Sequence, residues 1–176
     1  MDDKQLEFLR SVFLSNAQQG AFQRAHVYRE GIDTKEFTKR RDDFIKDLHA
    51  KLRMLEEPYR MVVDGEEHCR NIQRIAEELS SKHAEILTDG RLRIGIAQKA
   101  VNLYLKYLWC ADWITPPPPH CPIDGIILDM AGIHDVRWTT DIVTIEDYQN
   151  VIKRIREKIG DKPLADWELG AYNSNP

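Results

Sequence analysis

The stretch DGRLRIGIAQKAVNLYLKYLWCADWITPPPPHCPIDGIILDMAG, residues 89–132, decides the fold of this chain. After a basic turn, its apolar residues recur at helical spacing and predict a helix from Arg93 to Trp113, the most apolar in the sequence. The proline run 116–119 must be extended, because proline cannot continue a helix. Pro122 suits the first turn of a second, short helix that closes at Gly132. This stretch therefore predicts two helices separated by a rigid break.

The flanking sequence is also helical in pattern. N-cap spacing occurs where Asp33, Asp64 and Thr144 each precede an acidic residue by three positions. With the apolar periodicity, these signals predict further helices over 3–19, 33–58, 64–89 and 144–160, and a last one from Pro163. We expect residues 133–143 to form a loop. The sequence thus predicts an all-α fold, a compact multi-helical single domain of about seven helices spanning residues 1–176.

Composition limits the classes of function. The 176 residues are 42% hydrophobic and 31% charged, which indicates a globular chain. The net charge of −4, from 25 basic and 29 acidic side chains, excludes a uniformly basic nucleic-acid-binding surface but leaves room for a local basic face. Apolar runs are too short for a membrane span, the acidic start lacks a signal peptide, and the three cysteines are widely spread. We therefore expect a cytoplasmic protein without a membrane partner.

Two short motifs lie in order within residues 89–132. Gly95-Ile96-Ala97-Gln98-Lys99-Ala100-Val101-Asn102 resembles the Gly-Val-Gly-x-Lys-x-Ala-Asn hairpin of the helix-hairpin-helix DNA glycosylases, which include endonuclease III and the 8-oxoguanine glycosylases. Pro122-Ile123-Asp124, followed by aliphatic residues and Gly132, resembles the Pro-Val-Asp segment of the same superfamily. In the first motif Ala97 replaces the second glycine of the family pattern. The resemblance is confined to this stretch.

The resemblance implies a base-excision DNA glycosylase, with DNA lyase activity if a lysine is the nucleophile. Lys99 would be the catalytic lysine, which attacks the sugar and forms a Schiff base, and Asp124 the catalytic aspartate. The nucleic-acid-binding residues would be Arg91, Arg93, Gly95 and Gln98, at or near the hairpin that holds a DNA phosphate.

Three further residues are candidates for lining a pocket. His120 and Cys121, between prolines, would form a rim beside Asp124, and Trp109 would offer a flat face to an extruded base. The pairs His68-Cys69 and His120-Cys121 lack the spacing of zinc ligands, and no iron–sulfur cysteine set follows the motif. We therefore expect neither a metal nor another cofactor.

Two other functions fit the same residues. The chain could be a non-catalytic helical interaction or regulatory protein, such as a homodimer, with residues 89–132 serving as hairpin and core. It could also be an enzyme that acts on small molecules and uses the proline-rich segment as a pocket wall. The first alternative predicts that Lys99 and Asp124 can be replaced without loss of partner binding.

Overall fold

The computed structural model describes residues 2–173, which confirm the all-α prediction. Within this range there are no strands, and a single β-bridge joins Tyr28 to Leu87. The described residues form seven helices: α1 (Asp3–Phe22), α2 (Lys35–Arg53), α3 (Gly65–His83), α4 (Ile94–Cys110), α5 (Gly125–Met130), α6 (Ile145–Ile159) and α7 (Leu164–Asn173).

Helices α3 and α6 begin at the capping residue that the sequence indicates. The Asp64 side chain accepts a hydrogen bond from the Glu67 amide at 2.7 Å, and Thr144 forms a complete capping box at the start of α6. Helix α2 begins later than predicted, because Thr34 and not Asp33 is its cap. Each cap accepts from a first-turn N–H group that has no partner within the helix.

Several predicted helix bounds were wrong. Helix α2 ends at Arg53 and not at Pro58, α4 ends at Cys110 and not at Trp113, and α5 begins at Gly125, so that Pro122 precedes its first turn. Helix α1 continues through Gly20 to Phe22, and α3 stops at His83, short of the 3-10 turn at Thr88–Gly90. Gly20 allows a close approach between helices, since a Cβ there would lie 2.8 Å from Cδ1 of Leu103 in α4. This glycine therefore permits close helix packing because it has no side chain, and it does not form a turn.

Helix α4 lies at the centre of the molecule. It packs most extensively on α1 and also contacts α2, α3 and α6. Its fully buried side chains include Tyr104, Leu105 and Leu108. Among the described residues, none of the helices is both long enough and apolar enough to cross a membrane. The central position of α4 places its polar residues inside the protein, where each needs a partner.

Candidate functional site

The first turn of α4 is covered by the loop that precedes α6. The amide of Gly95 donates to the carbonyl of Ile142 at 2.8 Å, and the amide of Ile94 donates to Val143 at 3.3 Å. A Cβ on Gly95 would lie 2.0 Å from the carbonyl oxygen of Trp138. Gly95 is therefore required for close packing of this loop.

This closure corrects the phosphate contact predicted for Gly95. Its N–H group is bonded inside the protein, so it cannot hold a DNA phosphate in this conformation. Ala97, which replaces a family glycine, lies inside α4 and is not among the residues with positive φ, so its side chain causes no backbone strain. The hairpin here is built for contact with the protein's own loop.

Gln98 is also unavailable to a nucleic acid, contrary to the prediction. It is fully buried, and its Nε2 donates to the carbonyls of Gly95 at 2.9 Å and Ile123 at 2.8 Å. Its Oε1 accepts from the Ile123 amide at 3.1 Å. Gln98 thus holds both peptide groups of residue 123, the neighbour of Asp124, against α4.

Lys99 and Asp124 are brought together, as the sequence motifs require. Lys99 Nζ lies 3.3 Å from Asp124 Oδ2, with the two side chains 11% and 25% exposed. The other oxygen, Oδ1, accepts from the Ile127 amide at 3.2 Å and caps α5. Lys99 Nζ also lies 4.3 Å from the centre of the Trp138 ring. The ammonium group therefore has a carboxylate on one side and an aromatic face on another.

Asp124 also lines a cleft of about 290 Å³ between α4, α5 and α7. Leu103, one turn after Lys99 on the same face of α4, lines it too. A second ion pair crosses this cleft, with Lys106 Nζ 2.8 Å from Glu168 Oε1. Burial raises the pKa of Glu168, and Lys106 opposes that shift. Asp124 thus lines a cleft that contains a second, more buried ion pair, whereas its partner Lys99 is not among the lining residues.

Arg91 and Arg93, both predicted to contact DNA, differ in exposure and in hydrogen bonding. Arg91 is exposed and lines a separate cleft of about 420 Å³ near the start of α4. Arg93 is half-buried, and its Nη2 donates to the Ala25 carbonyl at 2.6 Å. Arg91 is accessible to a ligand, whereas Arg93 ties the start of α4 to the segment after α1.

The structure corrects the predicted pocket residues. Cys121 is 1% exposed, and burial raises the pKa of its thiol. Trp109 packs against the hydrophobic core. His120 does line a cleft, but together with Gly65 and Cys69, not with Asp124. None of the three forms a rim of the Asp124 cleft.

A buried polar network, missed in the sequence analysis, connects α4 to the cleft that His120 lines. Asn102 Nδ2 donates to Gln98 Oε1 at 3.2 Å and to Tyr148 Oη at 3.1 Å. Its Oδ1 is 3.0 Å from His68 Nε2, and Tyr148 Oη is 3.0 Å from His120 Nδ1. An available signal was the presence of two amides, Gln98 and Asn102, four residues apart in the most apolar helix.

The far end of the network lies between α3 and the turn at Pro58–Arg60. Tyr59 Oη lies 2.6 Å from His68 Nδ1, and the rings of His68 and His120 meet edge to face with centroids 4.8 Å apart. Both histidines have lowered pKa values, mainly because of burial, and that of His68 is about 4. Both rings are therefore neutral near pH 7. Among residues 2–173, no group of three or more His, Cys, Asp and Glu side chains could hold a metal ion.

Comparison with known protein families, with curated proteins and with solved structures gave no match to this chain.

Proposed function

We propose that this chain is a DNA-acting enzyme, a base-excision glycosylase with lyase activity in which Lys99 is the nucleophile and Asp124 its partner. The observation that carries the proposal is the 3.3 Å contact between Lys99 Nζ and Asp124 Oδ2, with Asp124 lining a cleft. The two residues lie 25 positions apart, and the resemblance of two separate motifs predicts their meeting.

The contact gives each group a role. A lysine attacks a sugar only without its extra proton, and the adjacent carboxylate is positioned to receive that proton. In an abasic sugar the Nζ–C1′ bond forms at the aldehyde carbon, and loss of water gives the imine. When a base is still attached, attack at C1′ expels the base. Asp124 then faces the positive charge that develops on the sugar.

Trapping with borohydride tests the lyase step. Borohydride reduces the imine on abasic DNA to a stable amine, so the wild-type chain should become covalently attached to the oligonucleotide. Lys99→Arg should lose the adduct, since arginine retains the charge next to Asp124 but forms no imine. Lys158→Ala, at an exposed lysine of α6, is the matched control and should retain it. An adduct that persists in Lys99→Arg, or its absence in the wild type, would refute the lyase proposal.

Asp124→Asn tests the second role. Asparagine is as good an N-cap as aspartate, so α5 should remain folded while the charge is lost. Release of the base from a lesion-containing duplex should then fall at least 100-fold, in the range that general acid–base groups contribute. Release at the wild-type rate would contradict the role given to Asp124.

A second candidate function, a non-catalytic interaction protein, is favoured by the closed start of α4. The carbonyls of Ile142 and Val143 accept hydrogen bonds from the amides that the hairpin would offer to phosphate. On this alternative neither Lys99→Arg nor Asp124→Asn changes partner binding, and no adduct forms with wild type. The two variants therefore separate the two candidates.

A further inference from the structure

The cleft that His120 lines is distinct from the Asp124 cleft and shares no lining residue with it. It measures about 620 Å³ and lies between the start of α3 and one face of α6. Gly65, Cys69 and Lys153 line it, among others. His120 itself is only 6% exposed, so its ring edge forms part of the floor.

The hydrogen-bond network fixes which ring nitrogen of His120 carries the proton. The backbone of Ile123 sets the orientation of Gln98, because its N–H group donates to Oε1 and its carbonyl accepts from Nε2. Oε1 of Gln98 is therefore the acceptor for Asn102, whose amide group then donates to Tyr148 Oη as well.

The same holds for the hydrogen bond between Tyr148 and His120. Tyr148 Oη accepts from Asn102, and its buried proton has His120 Nδ1, at 3.0 Å, as its acceptor within residues 2–173. Nδ1 is thus an acceptor, and the proton of the neutral ring resides on Nε2. Burial, with the nearby charge of Arg156, lowers the pKa of His120 well below 6.5, which keeps the ring neutral.

Nε2 of His120 is directed at the first residue of α3. A Cβ added to Gly65 would lie 3.2 Å from it. Among the described residues Nε2 has no hydrogen-bond partner, although the ring is more than nine-tenths buried. Asp64 takes the amides of Glu67 and His68, so those of Gly65 and Glu66 are left without an acceptor in the helix. Three N–H donors therefore belong to residues that line the same cleft, namely Gly65, Glu66 and His120.

Lys153 is the cationic residue that lines the cleft, and the two acidic lining residues, Asp64 and Glu66, each contact another group. Lys153 lines the cleft and makes no ion pair within residues 2–173. Arg156, close enough to influence His120, donates only to the carbonyls of Pro119 and Lys162. The positive end of the α3 dipole adds to both. Of the acidic side chains there, Asp64 is engaged as a cap and Glu66 lies 3.7 Å from Arg70.

We propose that this cleft binds a small oxyanion, a carboxylate or phosphate group, through the Nε2–H of His120 and the first-turn amides of α3. An oxyanion accepts several N–H bonds at once, which matches three N–H donors on residues that line one cleft. The ammonium of Lys153 would neutralise its remaining charge.

The 176-residue chain labelled with ¹⁵N-histidine tests the proposal by nuclear magnetic resonance. Inorganic phosphate and, separately, acetate are added at constant ionic strength, with sodium chloride as the reference. We expect a saturable shift of the His120 Nε2 and Hε1 signals with at least one of them, and little change at His68. Which anion gives the tighter saturation identifies the class of ligand.

Gly65→Ala is the decisive variant. The added methyl group would contact Nε2 and block the donor, while alanine is compatible with the first turn of a helix. Gly125→Ala is the matched control, because Gly125 also follows an aspartate N-cap and has open space around it. The shift should be lost in Gly65→Ala and retained in Gly125→Ala. A shift that survives Gly65→Ala, or no saturable shift with either anion in the wild type, would overturn the proposal.

Discussion

Asn102 and Tyr148 join α4 to α6 through a single buried hydrogen bond, 3.1 Å from Nδ2 to Oη. Neither residue is exposed by more than 1%. Because the Asn102 amide donates here, and His120 Nδ1 is the other hydrogen-bond partner of this hydroxyl within residues 2–173, the buried tyrosine proton finds an acceptor only at His120. Through this bond, the orientation of the Gln98 amide determines which nitrogen of His120 accepts a hydrogen bond.

The first prediction concerns the histidine tautomers. His68 Nε2 faces the oxygen of Asn102, and Nδ1 of each ring faces a tyrosine hydroxyl, so both rings should be protonated at Nε2. Long-range ¹H–¹⁵N correlation spectra at pH 7 will show this directly. Tyr148→Phe should release the preference at His120 and leave His68 unchanged. An Nδ1–H ring at either position in the wild type would contradict the network.

The second prediction concerns acid stability. The pKa of His68 is lowered from 6.5 to about 4 in the folded protein, so the unfolded chain binds a proton that the folded chain does not. This contribution is fully present above about pH 6.5 and is lost as the pH falls through 4. It amounts to on the order of 3 kcal/mol over that window.

Urea denaturation at a series of pH values measures this effect. His68→Gln should flatten the slope of the unfolding free energy between pH 6.5 and pH 4, even if its stability at pH 7 is lower. His26→Gln, at an exposed position, is the control and should leave the slope as it is in wild type. An unchanged slope in His68→Gln would mean that another group is responsible.

The third prediction tests the clamp on residue 123. Gln98→Glu would turn the donor that faces two carbonyl oxygens into a carboxylate oxygen, so two buried acceptors would lose their bond. We expect a loss of about 2 to 3 kcal/mol in the free energy of unfolding. Gln5→Glu, in the exposed capping box of α1, is isosteric in the same way and should cost nothing, since a glutamate fits that position. Equal stabilities of the two variants would argue against the clamp.

The fourth prediction tests the close approach at the start of α4. Gly95→Ala would place a methyl group 2.0 Å from the Trp138 carbonyl, so either the loop moves or α4 shifts. The cost should be about 3 kcal/mol or more, at the upper end of overpacking effects. Thermal unfolding compared with Gly125→Ala, where space is open, measures it. A stable Gly95→Ala protein with an undisturbed Trp138 environment in fluorescence would refute the packing role.

Local signals in the sequence predicted the helices well. The caps at Asp64 and Thr144 and the stop at Gly160 depend on contacts within four residues, which a pattern can capture. Gly20 was misread, because its reason is a long-range contact with Leu103. Periodicity shows that a glycine is present but not which helix approaches it.

The candidate site was predicted only in part. The meeting of Lys99 with Asp124 followed from two motifs in the right order, and their contact is present. The burial of Gln98 did not follow, because its partner Ile123 lies beyond the proline break, and a side chain cannot be assigned inside or outside by residue type alone. The network through Tyr148 and His120 joins residues 28 positions apart and leaves no local pattern.

The direction of that network has its origin in the peptide bond of Ile123. A peptide N–H cannot exchange roles with its carbonyl, whereas an amide or imidazole can rotate or change tautomer. The main chain therefore fixes which atoms donate and which accept in every side chain between Ile123 and the cleft that His120 lines. A buried peptide group thus determines which nitrogen of His120 carries a proton at the cleft.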